Sequence, residues 1–429
     1  MKIKRYARVA AIGTAFALCL TTQGLASDSG TIDNDMLQEL KRMIQQQQAQ
    51  IDKQAGEIAE LKKQLGGTSE GQSEETGKAE MAATDKMVSS SISNVNLSLY
   101  GHINKAAMFV DNGDSSKWYI VDNINSQTRL GLRANVETVH NWNAGGRIEY
   151  GIVSNASSDV NQLDTHDATS SNFKLRWAEV SFKNDQFGKI SLGKGASASD
   201  NSAEIDLSGT TVASYAGYSD MAGSTLWYDG RIGVLSELEI NDVFSDFDGL
   251  GRTDRLRYDT PSFAGFSVAA SASSGDAYDG SLWYSRKFGD TKVAGAVAYA
   301  NPGDLKSADS IYSGSVSAMF PMGFNATFSA GGQDLDETGR DNPVNWWGKL
   351  GYQVNFYDAA VTSFSIDYGE TKDLDQNNDT LKSWALAAVH NIPDWGTELY
   401  LAYRMHQLDR DATDFDDIHV FWTGARVKF

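Results

Sequence analysis

The sequence predicts an all-β fold: a sixteen-stranded antiparallel transmembrane β-barrel preceded by an N-terminal α-helical coiled coil. Three observations predict it. From Val95 onward apolar and polar side chains alternate with a period of two, the connections between these runs alternate between very short and long, and a heptad repeat is confined to residues 37–65.

The chain opens with Lys2, Lys4, Arg5 and Arg8, an apolar run from Val9 to Leu20, and the small-residue stretch Gly24-Leu25-Ala26. That is the pattern of a secretory signal peptide, expected over residues 1–26, and the apolar run is too short to span a bilayer. The sole cysteine, Cys19, lies in the signal, preceded by Leu18 and not by the small residue of a lipoprotein signal. The exported chain is expected to hold no thiol, hence no disulfide, haem or zinc–thiolate site. Losing the four basic signal residues takes the net charge from −19 to −23, which makes nucleic acid a poor partner. No later segment approaches the ~18 apolar residues of a membrane helix. A membrane location must therefore come from strands.

Residues 27–66 read as a coiled-coil stalk. Leu37, Ile44, Ile51, Ile58 and Leu65 occupy one position of the heptad, and Leu40, Gln47, Gln54 and Leu61 another. A seam repeating every 3.5 residues is buried only against a partner helix, and the two glutamines set register at some cost in stability. At ~1.5 Å per residue the helix reaches ~50 Å. Residues 67–93, rich in Gly, Ser, Glu, Thr and Ala, read as a flexible linker.

The barrel domain follows over residues 94–429. In 344–356, Val344, Trp346, Gly348, Leu350, Tyr352, Val354 and Phe356 share one face, opposite Asn345, Trp347, Lys349, Gly351, Gln353 and Asn355. Leu399, Leu401, Tyr403 and Met405 stand likewise against Glu398, Tyr400, Ala402, Arg404 and His406. A soluble sandwich also alternates, and the turns decide between the two. Phe320-Pro321-Met322-Gly323, Asp290-Thr291 and Tyr357-Asp358 are short, whereas 301–309, 333–343, 371–379 and 409–417 are long and acidic; only one rim of a membrane barrel is threaded through the bilayer. Counting this way gives sixteen strands, an even number as a single-chain bacterial barrel requires and enough for an aqueous lumen. Trp142, Tyr258, Phe263, Phe288, Phe356, Trp395, Phe421 and Phe429 are expected at the lipid interfaces.

Several stretches, in order and with matching spacing, resemble Gram-negative general porins: LYGHINKAAMF at 99–109, SQTRLGLRANVE at 126–137, RWAEVSFKNDQFGKISLGKG at 176–195, RYDTPSFAGFSV at 257–268 and the terminal VFWTGARVKF. The resemblance implies an outer-membrane homotrimer of barrels, a third loop folded into each lumen, and Phe429 as an assembly signal. The longest interruption between strands, about 196–251, holds EIDLSG at 204–209 and is the candidate loop; the proline-glutamate-phenylalanine-glycine motif of enterobacterial relatives is absent.

The function expected is a water-filled channel for passive diffusion of small hydrophilic solutes and ions. It needs no cofactor, only a constriction with a transverse field. Asp200, Glu204, Asp206 and Asp220 from the loop are the candidate acids, and Arg129, Arg133 and Arg147 the candidate lumen bases. Net acidity predicts mild cation preference. Expected partners are outer-membrane lipid and lipopolysaccharide, further copies of the chain, and peptidoglycan or another periplasmic partner through the stalk. A substrate-selective porin and a tether linking outer membrane to cell wall are the alternatives. No metal site is expected. Residues 373–379 resemble half an EF-hand loop, with Asn378 where Gly is required and Trp384 where Glu is required. Nor is an enzyme expected: the six histidines are scattered, and Gly223-Ser224-Thr225 does not continue into a nucleophile elbow.

Overall fold

A computed structural model describes residues 87–89, 95–137, 141–357 and 360–429. The expected signal peptide, the coiled coil and nearly all of the linker lie outside the described residues. Within the linker, Met87–Ser89 forms a short strand, β1.

The first wall strands are β2 (Val95–Asp111), β3 (Ser116–Asp122), β4 (Arg129–Glu137), β5 (Trp142–Ile152), β6 (Phe173–Asn184) and β7 (Gly188–Ala196). A small hairpin, β8 (Leu226–Asp229) and β9 (Val234–Glu239), forms a separate two-stranded sheet. The wall resumes with β10 (Arg252–Asp259), β11 (Phe266–Ser273), β12 (Ala277–Phe288), β13 (Thr291–Asn301), β14 (Ser310–Met319) and β15 (Phe324–Asp334). It ends with β16 (Val344–Tyr357), β17 (Ala360–Lys372), β18 (Thr380–Ile392), β19 (Thr397–Asp409) and β20 (Ile418–Lys428).

Each wall strand pairs antiparallel with the next, and β20 returns to β2, with Lys428 opposite His102 and His419 opposite Asp111. The sheet is thereby a closed ring. The backbone of Phe429 exchanges hydrogen bonds of 2.9 and 3.0 Å with Gly101, and below it β1 pairs with the remaining edge of β2. The seam is thereby paired along β2 from Gly101 to Asp111 and again at Asn96–Ser98, as a bilayer demands of a wall.

The wall has sixteen staves because β3 and β4 are two halves of one. Lys105 faces Asp122 and His102 faces Arg129, so three steps along β2 match seven along its neighbour, and four residues are extra. They form a 3-10 turn, Ile124–Ser126, whose N-cap Asn123 accepts a 2.9 Å bond from the Asn125 amide. Asn-Ile-Asn-Ser-Gln at 123–127 breaks the alternation that β3 above it still obeys, which masks the upper half of this stave in the sequence. The barrel is closed, antiparallel and sixteen-stranded as expected.

The two faces also separate as expected. Leu132, Ile148, Leu256, Val297, Leu350, Ile366 and Leu401 are 42–64% exposed on the outer wall, while Asn345, Trp347 and Lys349 of β16 are buried on the inner one. Tyr258, Phe263, Phe288, Phe356, Trp395 and Phe429 are exposed near the rim of short turns; Phe421 is exposed well up the wall, and Trp142 is half-buried against Phe187. The lumen is not uniformly polar. Met108, Val110, Val121, Ile418, Val420 and Trp422 point inward and are buried by the segment between β7 and β10.

An outer-face charge near the bilayer midplane costs about 2–4 kcal/mol. Leu401→Arg is expected to lower stability by that amount in a urea titration of folding into lipid vesicles, and Asn135→Arg, on the lumen face, to leave it nearly unchanged.

A candidate pore constriction

Residues 197–251 leave the wall at Ala196 and rejoin it at Arg252, directly opposite in the β7–β10 ladder. Between those points they run inside the barrel. An irregular segment there must find partners for its backbone, and the wall supplies them as a ladder of serines. Ser271 and Asp279 accept from the amides of Ala198 and Ser199 at 2.9 and 2.8 Å. Ser315 and Ser317 accept from Ile205 and Leu207, both at 3.0 Å, and the Ser329 hydroxyl donates to the Ala203 carbonyl at 2.7 Å. Serine at 313, 315 and 317 of β14 is the sequence signal for this seat: small hydroxyls at every second position mark a lumen face that something approaches closely.

Charge fixes the next turn of the loop. The Lys349 ammonium, fully buried, donates to Asp206 at 2.7 Å, to Thr210 at 3.0 Å and to the Ser214 carbonyl at 2.6 Å. Beside it, Arg404 donates to Asp367 at 2.9 Å and to Ser214 at 2.6 Å. Farther on, Met221, Trp227, Ile240 and Phe244 pack on the inward apolar patch of β2, β3 and β18–β20. The β8–β9 hairpin is pinned to the last long loop: the Gly230 amide donates to the Asp414 carbonyl and the Asp416 amide to the Tyr228 carbonyl. The insertion is thus a packed internal subdomain, and its hairpin adds no stave to the wall.

Asp206 therefore lies in an ion pair with the far wall, not opposite the three candidate arginines. Asp200 lies elsewhere, with Arg252, Arg176 and Arg257 acting on its charge; burial nonetheless raises its carboxyl above the usual range. Glu204 and Asp220 are partly exposed. Two acids the sequence reading passed over, Asp246 and Asp248, join them. Burial, then the charges of Asp248 and Asp246, hold the Glu204 carboxyl well above the usual range. Burial, reinforced by Asp246 and Asp159, pushes Asp220 up to about 7, although the Tyr215 hydroxyl donates to it at 2.5 Å.

The wall of β2, β4–β7 and β10 carries the bases. Glu149, fully buried, accepts from Tyr100 at 2.7 Å, Arg147 at 2.6 Å and Arg176 at 2.8 Å. The Arg147 guanidinium lies 3.9 Å from the centre of the Trp177 ring, and Arg133 lies 4.2 Å from that of Tyr100. Arg129 donates to Ser126 at 3.1 Å. Arg129, Arg133 and Arg147 thus share one inner wall. Arg176 joins them through a bulge: Glu149 faces Trp177 and Tyr150 faces Leu175, so Arg176 is the extra residue. That bulge is the slip in alternation visible around Ala178 and Glu179. Arg255 and Arg257, inward on β10, were legible in Arg-Thr-Asp-Arg-Leu-Arg but were assigned no role.

A family model for Gram-negative porins matches residues 78–411. This chain belongs to the Gram-negative porin family. The porin is similar in fold to the anion-selective porin of Comamonas acidovorans, at 16% identity and a TM-score of 0.54 over 78% of this chain and all of that one. It is also similar to a loop-deletion mutant of OmpT, an outer membrane protein of Vibrio cholerae, at 15% identity and 0.52 over 78% of this chain and 100% of that one. The outer membrane channel DcaP of Acinetobacter baumannii aligns at 13% identity and 0.50, over 79% of this chain and 99% of DcaP. No curated protein sequence matches the chain. The family and the closed barrel place the porin in the outer membrane.

Removing one member of a buried ion pair costs roughly 3–5 kcal/mol. Lys349→Ala is expected to strand Asp206, loosen the loop and raise both single-channel conductance and protease cleavage within 200–215. Lys349→Met with Asp206→Asn is expected to recover most of the loss, measured as a double-mutant cycle.

Proposed function

We propose that this porin is a water-filled channel for passive diffusion of small hydrophilic solutes and ions, with mild preference for cations. One observation carries the reading: the 197–251 segment lies inside the barrel and sets Glu204, Asp220, Asp246 and Asp248 in one lumen that also holds an arginine wall. Opposed rows of fixed charge give a transverse field that orients dipolar solutes. Cation preference follows from where the charges are balanced. Arg147, Arg176, Arg255 and Arg257 have carboxylates of their own wall as partners. Within the loop's acidic group Lys306 acts as a counter-charge on Asp246 and Asp248. Asp200, Glu204, Asp220, Arg129, Arg133 and Arg147 are thus read as constriction residues, and Asp206 as the anchor beneath them.

The rigid seating of Arg147 and Arg176 on Glu149, Tyr100 and Trp177 favours a second reading, a porin with a saturable site for an anionic group. Concentration-dependent current block by such a solute distinguishes it from free diffusion.

Assembly is proposed as a homotrimer through the β2–β3 wall. There the half-exposed Lys105 reaches the buried Asp122 at 2.6 Å, and Trp118 and Ile120 are 67% and 72% exposed. An exposed lysine on that wall is costly against lipid and suits a protein partner. β1 and Phe429 lie at the rim of short turns, which supports a stalk over residues 27–66 in the periplasm, reaching peptidoglycan or another partner there. Phe429, closing the seam, is read as the assembly signal, and lipopolysaccharide as the outer neighbour.

Planar-bilayer recording tests the channel: discrete conductance steps, closing in threes, are expected, and a protein that inserts without steps defeats the reading. Glu204→Gln with Asp246→Asn is expected to lower the cation preference read from the reversal potential in a salt gradient. The same preference is expected to fall between pH 8 and pH 5, because a carboxyl raised to about 7 is charged above that pH and neutral below it.

A further inference from the structure

The outer wall of β13–β16 carries a hollow of about 720 Å³. The register shows how it arises. Val297, Gly314, Ala330 and Trp346 stand on one rung, cross-strand to one another. The rung above runs Tyr299, Tyr312, Gly332 and Val344, and the one below Gly295, Val316, Phe328 and Gly348. Large side chains rim a floor of glycine and alanine. The floor cannot fill itself, because a Cβ on Gly314 would lie 2.9 Å from the Ala296 carbonyl oxygen. Val297, Tyr312, Val316 and Phe328 are 39–58% exposed, so the rim points out of the barrel.

Two facts identify what covers it. The hollow lies at the ends of β13–β16 that adjoin the long loops 302–309 and 335–343, so in a porin it faces the outer leaflet. Polar groups flank it on the next strand toward the long loops: Lys372, cross-strand to the lining residue Val344, is half-exposed, with its ammonium 3.8 Å from Glu370, which accepts from the Tyr368 hydroxyl. An apolar slot beneath a lysine and tyrosines has the form of a lipid seat, with hydrocarbon below and a phosphate-bearing head above. We propose that this hollow seats one acyl chain of outer-leaflet lipopolysaccharide, with Lys372 reaching its phosphorylated head. The assignment rests on the porin reading for its place in the membrane.

The test uses the full chain extracted from outer membranes in mild detergent, with bound lipid counted by native mass spectrometry. Ala330→Trp and Val316→Trp, either of which fills the hollow, are expected to lose one lipopolysaccharide per chain relative to the native protein. Lys372→Gln is expected to lower retention severalfold, and Leu401→Trp, on the far outer wall, to change nothing. Equal lipid content in all forms overturns the proposal, as does loss of phospholipid only or a change of oligomeric state, which would assign the hollow to another occupant or to a second chain. Conductance is expected unchanged in every variant, since the hollow faces away from the lumen. Absence of conductance in the native protein would instead remove the porin reading.

Discussion

The structure depends on one constraint: no backbone amide or carbonyl facing the bilayer is left without a partner inside the wall. The ring meets it by closing β20 on β2, and the seam shows how completely. Where β20 ends, Phe429 bonds to Gly101, and where Phe429 ends, β1 takes over the edge of β2. The same rule governs the interior, where the loop has no water-facing freedom along its buried stretch. Serine hydroxyls of β11, β14 and β15 take the place of a ladder there, and Lys349 with Arg404 takes the place of a cap. Wall and loop solve one problem with different donors.

The second consequence is an asymmetric lumen. Along part of β18–β20 and β2–β3 the inner face is apolar and covered by the loop's own core, with Arg404 and His406 buried beside it. Along β4–β7 and β10 the inner face is arginine, tyrosine and tryptophan, ordered by Glu149 and Glu179. The loop is held by a buried ion pair, a serine ladder and an apolar core together, an arrangement suited to a fixed constriction and not to a swinging gate.

Much of the ring was legible because alternation is a direct imprint of a wall with lipid on one side. The faces of β16 and β19 follow from it alone, and the count of staves from it together with the alternation of short and long turns. The misses occurred where local geometry departs from period two. The 3-10 turn at 124–126 hid β3, and the bulge at Arg176 concealed a lumen arginine behind a broken pattern. The site was less legible than the wall for a different reason: a loop has no period, so Asp206 reads the same as Glu204 in sequence. Only the depth of Lys349 beneath the loop separates an anchor from a constriction acid. Inward apolar residues such as Trp422 and Ile418 were likewise indistinguishable from lipid-facing ones until the loop was seen to cover them.

That distinction decides how the chain's large negative charge acts. Charge paired within one wall contributes little field across the gap, because a carboxylate and a guanidinium under 3 Å apart act at longer range as a dipole. Charge in the loop whose counter-ions lie across water contributes most. Asp206, Glu149 and Glu179 belong to the first kind, whereas Glu204 and Asp220 form no ion pair among the described residues and Asp246 and Asp248 share Lys306. Like charges crowded in a narrow lumen also raise one another's affinity for protons, so the group that would give the pore its selectivity is the one whose charge is least secure near neutral pH.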